Sequence, residues 1–390
     1  MTTQTIKPIY LDANATTPVD ERVLKAMLPY FTEHFGNAAS INHQYGWEAE
    51  AAVKKAREII ANSINAGTEE IVFTSGATES NNLAIKGVAE SYFSKGRHII
   101  TVETEHNAVL DPCNYLEDLG FEITYLPVNS DGLIEISELE KAIRPDTILV
   151  SIMAANNEIG VLQPLAEIGA ICHSKDILFH TDAAQAIGKI PLDVQAMKID
   201  LMSLTAHKIY GPKGIGALYV RRRDPRVKVA PQLHGGGHER GMRSGTLYTP
   251  QIVGFGKALE LGLSEMKKET KRLTELRETL WKKISNLDGI WLNGHAEKRL
   301  PGNLNISVEG VDGQVLLLGL QNIAAVSSGA ACTSAKRYPS HVLLALGRDE
   351  KLAFASVRFG IGRFNTKAEI ERVGEGVLET IKSLREVTNS

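Results

Sequence analysis

Two stretches of the sequence decide its fold class, namely ILFHTDAAQ (Ile177–Gln185) and DLMSLTAHKIYGPKG (Asp200–Gly214). Each contains a short apolar run that is typical of a buried strand, followed by small, polar and glycine-rich residues. In open α/β sheets, ligands bind beyond the carboxyl ends of the strands. Asp182 and Lys208, which follow these two runs, are therefore expected at a sheet edge where a ligand would bind.

The same alternation of strand and helix patterns extends outward, from about residue 61 to residue 220. Seven runs predict strands: Glu70–Thr74, His98–Thr101, Glu122–Leu126, Thr147–Met153, Ile177–Thr181, Leu201–Ser203 and Ala217–Val220. Helical periodicity lies between most of them, for example at Ser80–Lys95 and at Ser137–Ile143, where Ser137 and Glu140 resemble a capping box. This pattern predicts an α/β fold with a mainly parallel seven-stranded sheet that helices cover on both faces.

A second, smaller domain is expected because 390 residues exceed the roughly 250–300 that one hydrophobic core supports. Leu263–Leu287 has the spacing of one long, charged amphipathic helix, which would lead into a smaller α+β domain at the C-terminal end. The predicted division places residues 15–262 in the large domain. Residues 1–14 and 263–390 then form the small domain, because the first residues are expected to return and pack on it.

The composition excludes several classes of function. There are 43 Lys and Arg residues against 46 Asp and Glu residues, which gives a formal net charge of -3 and no basic surface for nucleic acid. No run approaches the roughly 20 apolar residues of a membrane span. Met1–Pro8 is polar and lacks the apolar core of a signal peptide. The expected protein is cytoplasmic and binds neither nucleic acid nor membranes.

The sequence around each of the three cysteines predicts a different environment for Cys332 than for Cys113 and Cys172. Cys113 and Cys172 lie in helical patterns and are expected to be small buried hydrophobic residues. Cys332 lies in the run VSSGAACTSA (Val326–Ala335), whose small, turn-forming residues predict a mobile loop and offer no apolar wall. We therefore expect Cys332 to be a reactive thiol. The spacing of the cysteines contains no CxxC pair, and no metal site is predicted.

Asp182 and Lys208 together are the minimum apparatus of a pyridoxal 5′-phosphate site. The lysine would form a Schiff base with the cofactor aldehyde, and the acid would keep the pyridine nitrogen protonated. Ile71–Asn82 leaves a strand, turns at Gly76 and enters a helix, whose N-terminus together with Thr78 could bind the phosphate. Each feature alone has an ordinary structural explanation: a loop lysine, a helix-capping acid and a simple strand-to-helix turn.

In combination, the motifs resemble the cysteine desulfurases of the NifS-like type, group I, within the class V aminotransferase family of fold-type I enzymes. The resemblance runs from Tyr10 to about Phe364. It rests on Tyr10–Pro18, Ser75–Asn82, Glu105–Val109, Asn156–Gly160, Asp182–Gln185, His207–Gly214, Gly235–Thr246 and the segment around Cys332. No single motif is decisive, but all of them in order at the family's spacing are very specific.

The resemblance implies a role for each cofactor residue. Lys208 would bind the cofactor, Asp182 would pair with the pyridine nitrogen, and Gln185 would bond the phenolic oxygen. His106 would stack on the ring and could move protons. The phosphate would be held by Ala77, Thr78, Thr205 and His207. Thr205 stands where serine is usual in the family, but its hydroxyl preserves the expected bond.

The resemblance also implies a substrate site and a dimer. Asn157, which would also contact the cofactor, and Arg358 would fix the substrate, with Arg358 clamping its carboxylate. Thr246 would reach the phosphate of the neighbouring subunit in a homodimer.

The implied reaction converts L-cysteine to L-alanine and leaves the sulfur on Cys332 as a persulfide. An acceptor protein, such as an iron–sulfur cluster scaffold or a tRNA-thiolation protein, would then take the sulfur. A selenocysteine lyase, another pyridoxal-phosphate-dependent C–S lyase or aminotransferase, and a non-enzymatic assembly platform are the alternatives. The sequence leaves open which acceptor is used, and whether Cys332 transiently ligates an iron–sulfur cluster.

Overall fold

The computed structural model describes residues 7–328 and 338–388, so Cys332 lies outside the described residues. The strands are β1 (Ile9–Tyr10), β2 (Ile71–Thr74), β3 (His98–Val102), β4 (Glu122–Leu126), β5 (Thr147–Ser151), β6 (Leu178–Asp182), β7 (Leu201–Thr205), β8 (Gly216–Val220), β9 (Ile290–Leu292), β10 (Asn303–Val308), β11 (Ala324–Ala325), β12 (Ser327–Ser328) and β13 (Ser356–Gly360). The α-helices are α1 (Glu21–Met27), α2 (Pro29–Thr32), α3 (Gln44–Ser63), α4 (Ala77–Ser91), α5 (Asn107–Asp118), α6 (Ile136–Ala142), α7 (Leu165–Ser174), α8 (Thr249–Ile284), α9 (Gly313–Leu320), α10 (His341–Ala345), α11 (Glu350–Phe354) and α12 (Lys367–Thr388).

Seven of the described strands form one sheet, in the order β2-β8-β7-β6-β5-β3-β4. Strand β8 runs antiparallel to both of its neighbours, and the other adjacent pairs are parallel. The predicted α/β fold with a mainly parallel seven-stranded sheet is confirmed. The carboxyl ends of β6 and β7 are adjacent, which places the segments that follow them at one edge.

Both faces of this sheet are covered, as the continuous apolar runs predict. Phe73 and Ile100 belong to one hydrophobic core, whereas their neighbours Val72 and Ile99 belong to the core on the opposite face. Successive side chains of a strand point to opposite faces, so such strands need apolar residues at every position. Burial of each large apolar side chain stabilises the fold by about 1.5–3 kcal/mol.

A smaller sheet, in the order β12-β13-β10-β9, lies with α9 and α12 around a separate core. The first described residues contact this core: β1 pairs in parallel with β11, and Ile9 and Leu11 are buried in it. Helix α8 contributes Phe255 to a core of the large sheet and Leu280 to the core of the small one. The predicted boundary between residues 262 and 263 stays a prediction.

Two details of the helices were wrong in the sequence prediction. Helix α6 has Glu135 as its N-cap residue with no side-chain capping bond, so Ser137 does not begin a capping box. Helix α8 starts at Thr249, well before Leu263, with a proline in its first turn where the missing N–H costs nothing. Among the described residues, none of the helices has both the length and the apolar character that a membrane crossing requires.

Candidate active site

Two adjoining cavities lie at the carboxyl edge of the large sheet. The inner cavity, of about 500 Å3, is lined by nine of the predicted site residues: Ala77, Thr78, His106, Asn157, Asp182, Gln185, Thr205, His207 and Lys208. The outer cavity, of about 1110 Å3, shares Thr78, His106 and Asn157 with it and extends to Arg358 and to β12. Together we call these two cavities the cleft. The structure thus brings together residues that are far apart in the sequence.

Asp182 is the last residue of β6, and its carboxylate is held on both oxygens. Asn81 Nδ2 donates to Oδ2 over 2.7 Å, and the backbone N–H of Ala184 donates to Oδ1 over 2.8 Å. The side chain is buried at the cavity wall. Hydrogen bonds on both oxygens fix the orientation of a carboxylate as well as its position. Asp182 therefore has a fixed orientation at the cavity wall, where it could pair with a protonated ring nitrogen.

Lys208 follows β7 and reaches the cavity wall from the next strand of the sheet. Burial lowers the pKa of its ammonium group, Asp182 acts in the opposite direction, and Arg358 lowers the pKa further. A lower pKa increases the fraction of neutral amine at physiological pH, and the neutral amine is the form that attacks carbonyl groups and accepts protons.

Gln185 is fixed by the N-terminal segment of the chain. Its Nε2 donates to the backbone oxygen of Asn14 over 2.8 Å, and its Oε1 accepts from Asn14 Nδ2 over 3.3 Å. Lys189 Nζ also donates to Oε1, over 3.3 Å. These bonds hold the amide at the wall of the inner cavity, where it can bind a polar group on a ligand.

One end of the inner cavity has the features of an anion site. Gly76, the residue before α4, has a φ of 156°, a conformation that favours glycine, and a Cβ there would project into open space. The backbone N–H groups at the start of α4, beside the side chains of Thr78 and Thr205, attract a negatively charged group. His207 lines the same wall, and burial together with nearby lysines lowers its pKa to about 4.

His106 is the N-cap residue of α5 and faces the space between the two cavities. Its Nδ1 accepts a hydrogen bond from the N–H of Ala108 over 3.0 Å, so a neutral ring carries its proton on Nε2. Loss of solvation within the cleft lowers the pKa of His106, and the Lys208 cation lowers it further. The imidazole is therefore mostly neutral at physiological pH and can accept a proton.

Arg358, on β13, forms the far wall of the cleft. Its Nη2 donates to Asp12 Oδ1 and its Nη1 donates to the backbone oxygen of Asn157, each over 2.8 Å. Arg358 Nε and Asn157 Oδ1 are both buried and have no hydrogen-bond partner within residues 7–328 and 338–388. Unpaired buried polar atoms are costly, and a bound ligand with a carboxylate and an amino group would satisfy them.

Three residues that sequence reasoning did not assign also shape this site. Asn81 and Asp12 were part of the motifs but received no role, and each holds one of the predicted charged groups. Glu105 is fully buried, and burial, followed by the Asp182 charge, raises its pKa well above the usual range. Its Oε1 accepts from the backbone N–H of Met153 over 2.5 Å. Only the folded chain reveals these contacts.

Among the described site residues, Thr246 is not part of the lining of the cleft. Thr246 is exposed and lies outside both cavities, and Cys332 lies outside the described residues. Cys113 and Cys172 are fully buried as predicted, and burial raises the pKa of each thiol to about 12. No cluster of three or more potential metal ligands is present in the described part of the chain.

Comparison with known proteins gives a consistent result. The family model described as aminotransferase class-V matches residues 9–373. A cysteine desulfurase of Mus musculus is 55% identical over 384 residues, which cover 98% of this chain and 83% of the mouse protein. A solved NifS-like protein superposes with a TM-score of 0.89 at 40% identity, covering 97% of this chain and all of that one. The structure of SspA in complex with cysteine gives a TM-score of 0.82 at 42% identity, covering 92% and 100% of the two chains.

Proposed function

Because the chain belongs to the class-V aminotransferase family, and within it to the cysteine desulfurases, we propose that it removes the sulfur atom of L-cysteine and releases L-alanine. The observation that carries this proposal is the cleft itself. It combines an amine of lowered pKa at Lys208, a fixed carboxylate at Asp182 and a guanidinium with an unpaired donor at Arg358. A pyridoxal-phosphate enzyme that acts on an amino acid needs all three kinds of group.

The inner cavity fits pyridoxal 5′-phosphate, the cofactor of this family. Asp182 would face the ring nitrogen, Gln185 the ring oxygen and Lys208 the aldehyde carbon, while His106 would lie against the ring. The phosphate would be held by Ala77, Thr78, Thr205 and His207. When bound, the cofactor supplies an electron-withdrawing ring that stabilises negative charge at the substrate Cα. Asn157 would contact both the cofactor and the substrate.

The substrate carboxylate is bound by Arg358. The guanidinium has five N–H donors, of which one is engaged by Asp12 and one by the backbone of Asn157. The donors that remain can hold a carboxylate in two parallel bonds, which fixes its orientation as well as its position. The buried Nε of Arg358 would gain the partner that it lacks among the described residues.

Proton transfer is the task of Lys208 and His106. Lys208 Nζ, once neutral, takes the proton from the substrate Cα, and its lowered pKa makes the neutral form more abundant. His106 Nε2 is the candidate group for deprotonating the attacking thiol, since its own lowered pKa keeps the ring neutral. An unperturbed cysteine has a pKa of about 8.5, so it needs such help at neutral pH.

Cys332 is the proposed sulfur acceptor because the small, turn-forming residues around it in the sequence predict a reactive thiol. Its thiolate would attack the substrate sulfur, so that an S–S bond forms and the C–S bond breaks. The electron pair of the broken bond remains on carbon, which takes up a proton to give alanine, and Cys332 keeps a persulfide. Cys113 and Cys172 are poor candidates because both are fully buried. An iron–sulfur cluster scaffold or another acceptor protein would then receive the sulfur.

We also infer a homodimer, which an exposed apolar surface supports. Its side chains are those of Leu24, Leu28, Phe31, Phe35 and Tyr248. The rings of Phe31 and Tyr248 meet edge to face with centroids 6.3 Å apart, so these two side chains adjoin. Thr246 is exposed two residues before Tyr248 and would reach the phosphate site of the partner subunit. Patches of this kind mark protein interfaces.

The desulfurase activity is tested by incubating the purified protein with pyridoxal 5′-phosphate, L-cysteine and a thiol reductant. Alanine and sulfide should appear in equal amounts, and Cys332→Ala should abolish both while the absorbance of the bound cofactor is retained. Cys113→Ala removes a thiol from the core and serves as the matched control. Pyruvate in place of alanine, or full activity of Cys332→Ala, would instead indicate a direct C–S lyase.

The dimer is tested by sedimentation of the wild type and of Leu28→Asp at micromolar concentration. The variant should shift to the monomer because a charge would be buried in the apolar contact. Leu318→Asp, which changes an exposed leucine on α9, should remain a dimer. A monomeric wild type would contradict the inference.

A further inference from the structure

The carboxylate of Asp12 touches the proposed substrate-binding arginine directly. Its Oδ1 accepts from Arg358 Nη2 over 2.8 Å and from Ser327 Oγ over 2.9 Å. Both charged side chains are largely shielded from water, with 19% of Asp12 and 10% of Arg358 exposed. A charge pair of this kind interacts more strongly than one on the open surface.

The backbone delivers this carboxylate to one fixed place. Gly360 exchanges backbone hydrogen bonds with both neighbours of Asp12: its N–H donates to Leu11 over 2.7 Å, and its oxygen accepts from Ala13 over 3.0 Å. A Cβ at position 360 would lie 2.7 Å from the backbone nitrogen of Ala13, so only glycine permits this approach. Asp12 is therefore held beside Gly360 of β13, and Arg358 lies two residues before Gly360 on the same strand.

Other charged groups near Arg358 are placed differently. Glu158 is half-buried, and its Oε2 accepts a hydrogen bond from Ser340 Oγ over 2.5 Å; loss of solvation raises its pKa, which Ser340, His341 and Arg358 oppose. Arg358 also lowers the pKa of the Lys208 ammonium group. Among the described residues, Asp12 supplies the carboxylate that forms an ion pair with the Arg358 guanidinium. A substrate carboxylate would thus meet an arginine whose charge Asp12 already neutralises.

We propose that Asp12 is the resident counter-ion of Arg358, a positioning residue that orients the guanidinium and at the same time weakens its attraction for the substrate carboxylate. This inference rests on the proposed function, in which Arg358 binds that carboxylate. Two carboxylates on one guanidinium lie within a few Å of each other, and their repulsion is weakly screened in a partly buried site. The same repulsion acts on L-alanine, so Asp12 also promotes release of the product.

The experiment compares the holoenzyme with its Asp12→Asn variant. The amide oxygen of asparagine can still accept from Arg358 and Ser327, so the variant removes the charge and keeps the hydrogen bonds. L-alanine and ethylamine, which is the same molecule without the carboxylate, are titrated through the absorbance of the bound cofactor. We expect L-alanine to bind about tenfold more tightly to the variant, and ethylamine to bind both proteins alike.

Tighter binding is a result that a merely structural role would not produce. If Asp12→Asn binds L-alanine no more tightly than the wild type, the inference is wrong. Asp118→Asn removes a carboxylate at the exposed end of α5 and should leave the affinity for L-alanine unchanged. Asp12→Ser, which also removes the charge, provides a second variant should Asp12→Asn fail to fold. If the wild type bound L-alanine and ethylamine equally tightly, Arg358 would not bind the substrate carboxylate. The proposed role of Arg358 would then be wrong, and not only that of Asp12.

Discussion

The two walls of the cleft hold their charged groups in different ways. On the wall of the large sheet, Asp182 receives hydrogen bonds on both carboxylate oxygens, from Asn81 and from the backbone of Ala184. On the wall of the small sheet, Arg358 is shared between Asp12 and Asn157 and keeps a buried Nε without a partner in the described ranges. The Asp182 carboxylate is held on both oxygens before a ligand arrives, whereas the Arg358 guanidinium keeps a donor in reserve. A fixed wall suits a resident cofactor, and a wall with spare donors suits a substrate that must come and go.

The largest effect is expected on the wall of the large sheet, at Lys208. Lys208→Ala removes both the amine that would hold the cofactor and the proposed base, so turnover of L-cysteine should fall by about a thousandfold or more. Alanine production at saturating cofactor measures the loss. Lys213→Ala, which removes another lysine from the lining of the inner cavity, should lose far less. Comparable losses in the two variants would mean that positive charge matters and the amine of Lys208 does not.

On the same sheet, the buried side chain of His180 predicts that the stability of the protein depends on pH. His180 is fully buried on β6 between Ser151 Oγ and Ser203 Oγ, at 2.8 and 3.0 Å, and burial lowers its pKa to about 4, which Asp182 opposes. Because the unfolded chain has a histidine pKa of about 6.5, the contribution of His180 is fully present above that pH. It is lost as the pH falls from about 6.5 to 4, by up to about 3 kcal/mol.

Urea unfolding at neutral and mildly acidic pH measures this dependence. The free energy of unfolding of His180→Gln should fall less steeply with acid than that of the wild type, since glutamine does not titrate. His173→Gln, on the exposed side of α7, is the control and should behave like the wild type. An unchanged slope in His180→Gln would assign the acid sensitivity to other groups.

On the wall of the small sheet, Arg358→Ala should lower kcat/KM for L-cysteine by about a hundredfold. Arg358→Lys should recover only part of this loss, because an ammonium group keeps the charge but lacks the planar fork that binds a carboxylate in two bonds. Steady-state kinetics of the three proteins provide the measurement. Full recovery by lysine would show that charge alone is required at this wall.

The smallest expected effect tests whether activity depends on the hydrogen bonds that hold the Asp182 carboxylate. Asn81→Ala removes one of the two donors to Asp182, and activity should fall by about tenfold because the loss of one charge-assisted hydrogen bond costs about 1.5–3 kcal/mol. Asn82→Ala provides a matched control on the same helix, since the amide of Asn82 bonds to the backbone of Thr78 instead. Equal losses in both variants would point to a general weakening of α4.

Most of the fold was predictable because its strands are continuous apolar runs, and all seven predicted strands pair in the large sheet. The start of α8 was not predictable, since Gly254, Gly256 and Gly262 interrupt the helical pattern of its first turns. The packing explains two of them: a Cβ at position 254 would lie 2.5 Å from Met27 Sδ, and one at position 256 would lie 3.0 Å from Ala56 Cα. Close contact with distant helices outweighs the low helix propensity of glycine there.

The candidate site was predictable where chemistry demands a particular residue type, as at Lys208 and Asp182. Residues that act through a neighbour were not, because nothing local distinguishes them. Asn81 lies 101 positions from Asp182, and Asp12 lies 346 positions from Arg358. An asparagine in a helix or an aspartate after a short strand has many ordinary explanations until the chain is folded and its partner is known.

The pairing of β1 with β11 affects the order in which the chain folds during its synthesis on the ribosome. All strands of the large sheet have been made once Val220 is synthesised, whereas Ile9 must wait for its partner Ala324. At about 5–20 residues per second, the time between the synthesis of Ile9 and that of Ala324 is about 15–60 s. During this time the N-terminal segment has no partner strand, although it will later carry Asp12 to the cleft. The nascent chain therefore completes the wall for the cofactor before the wall for the substrate.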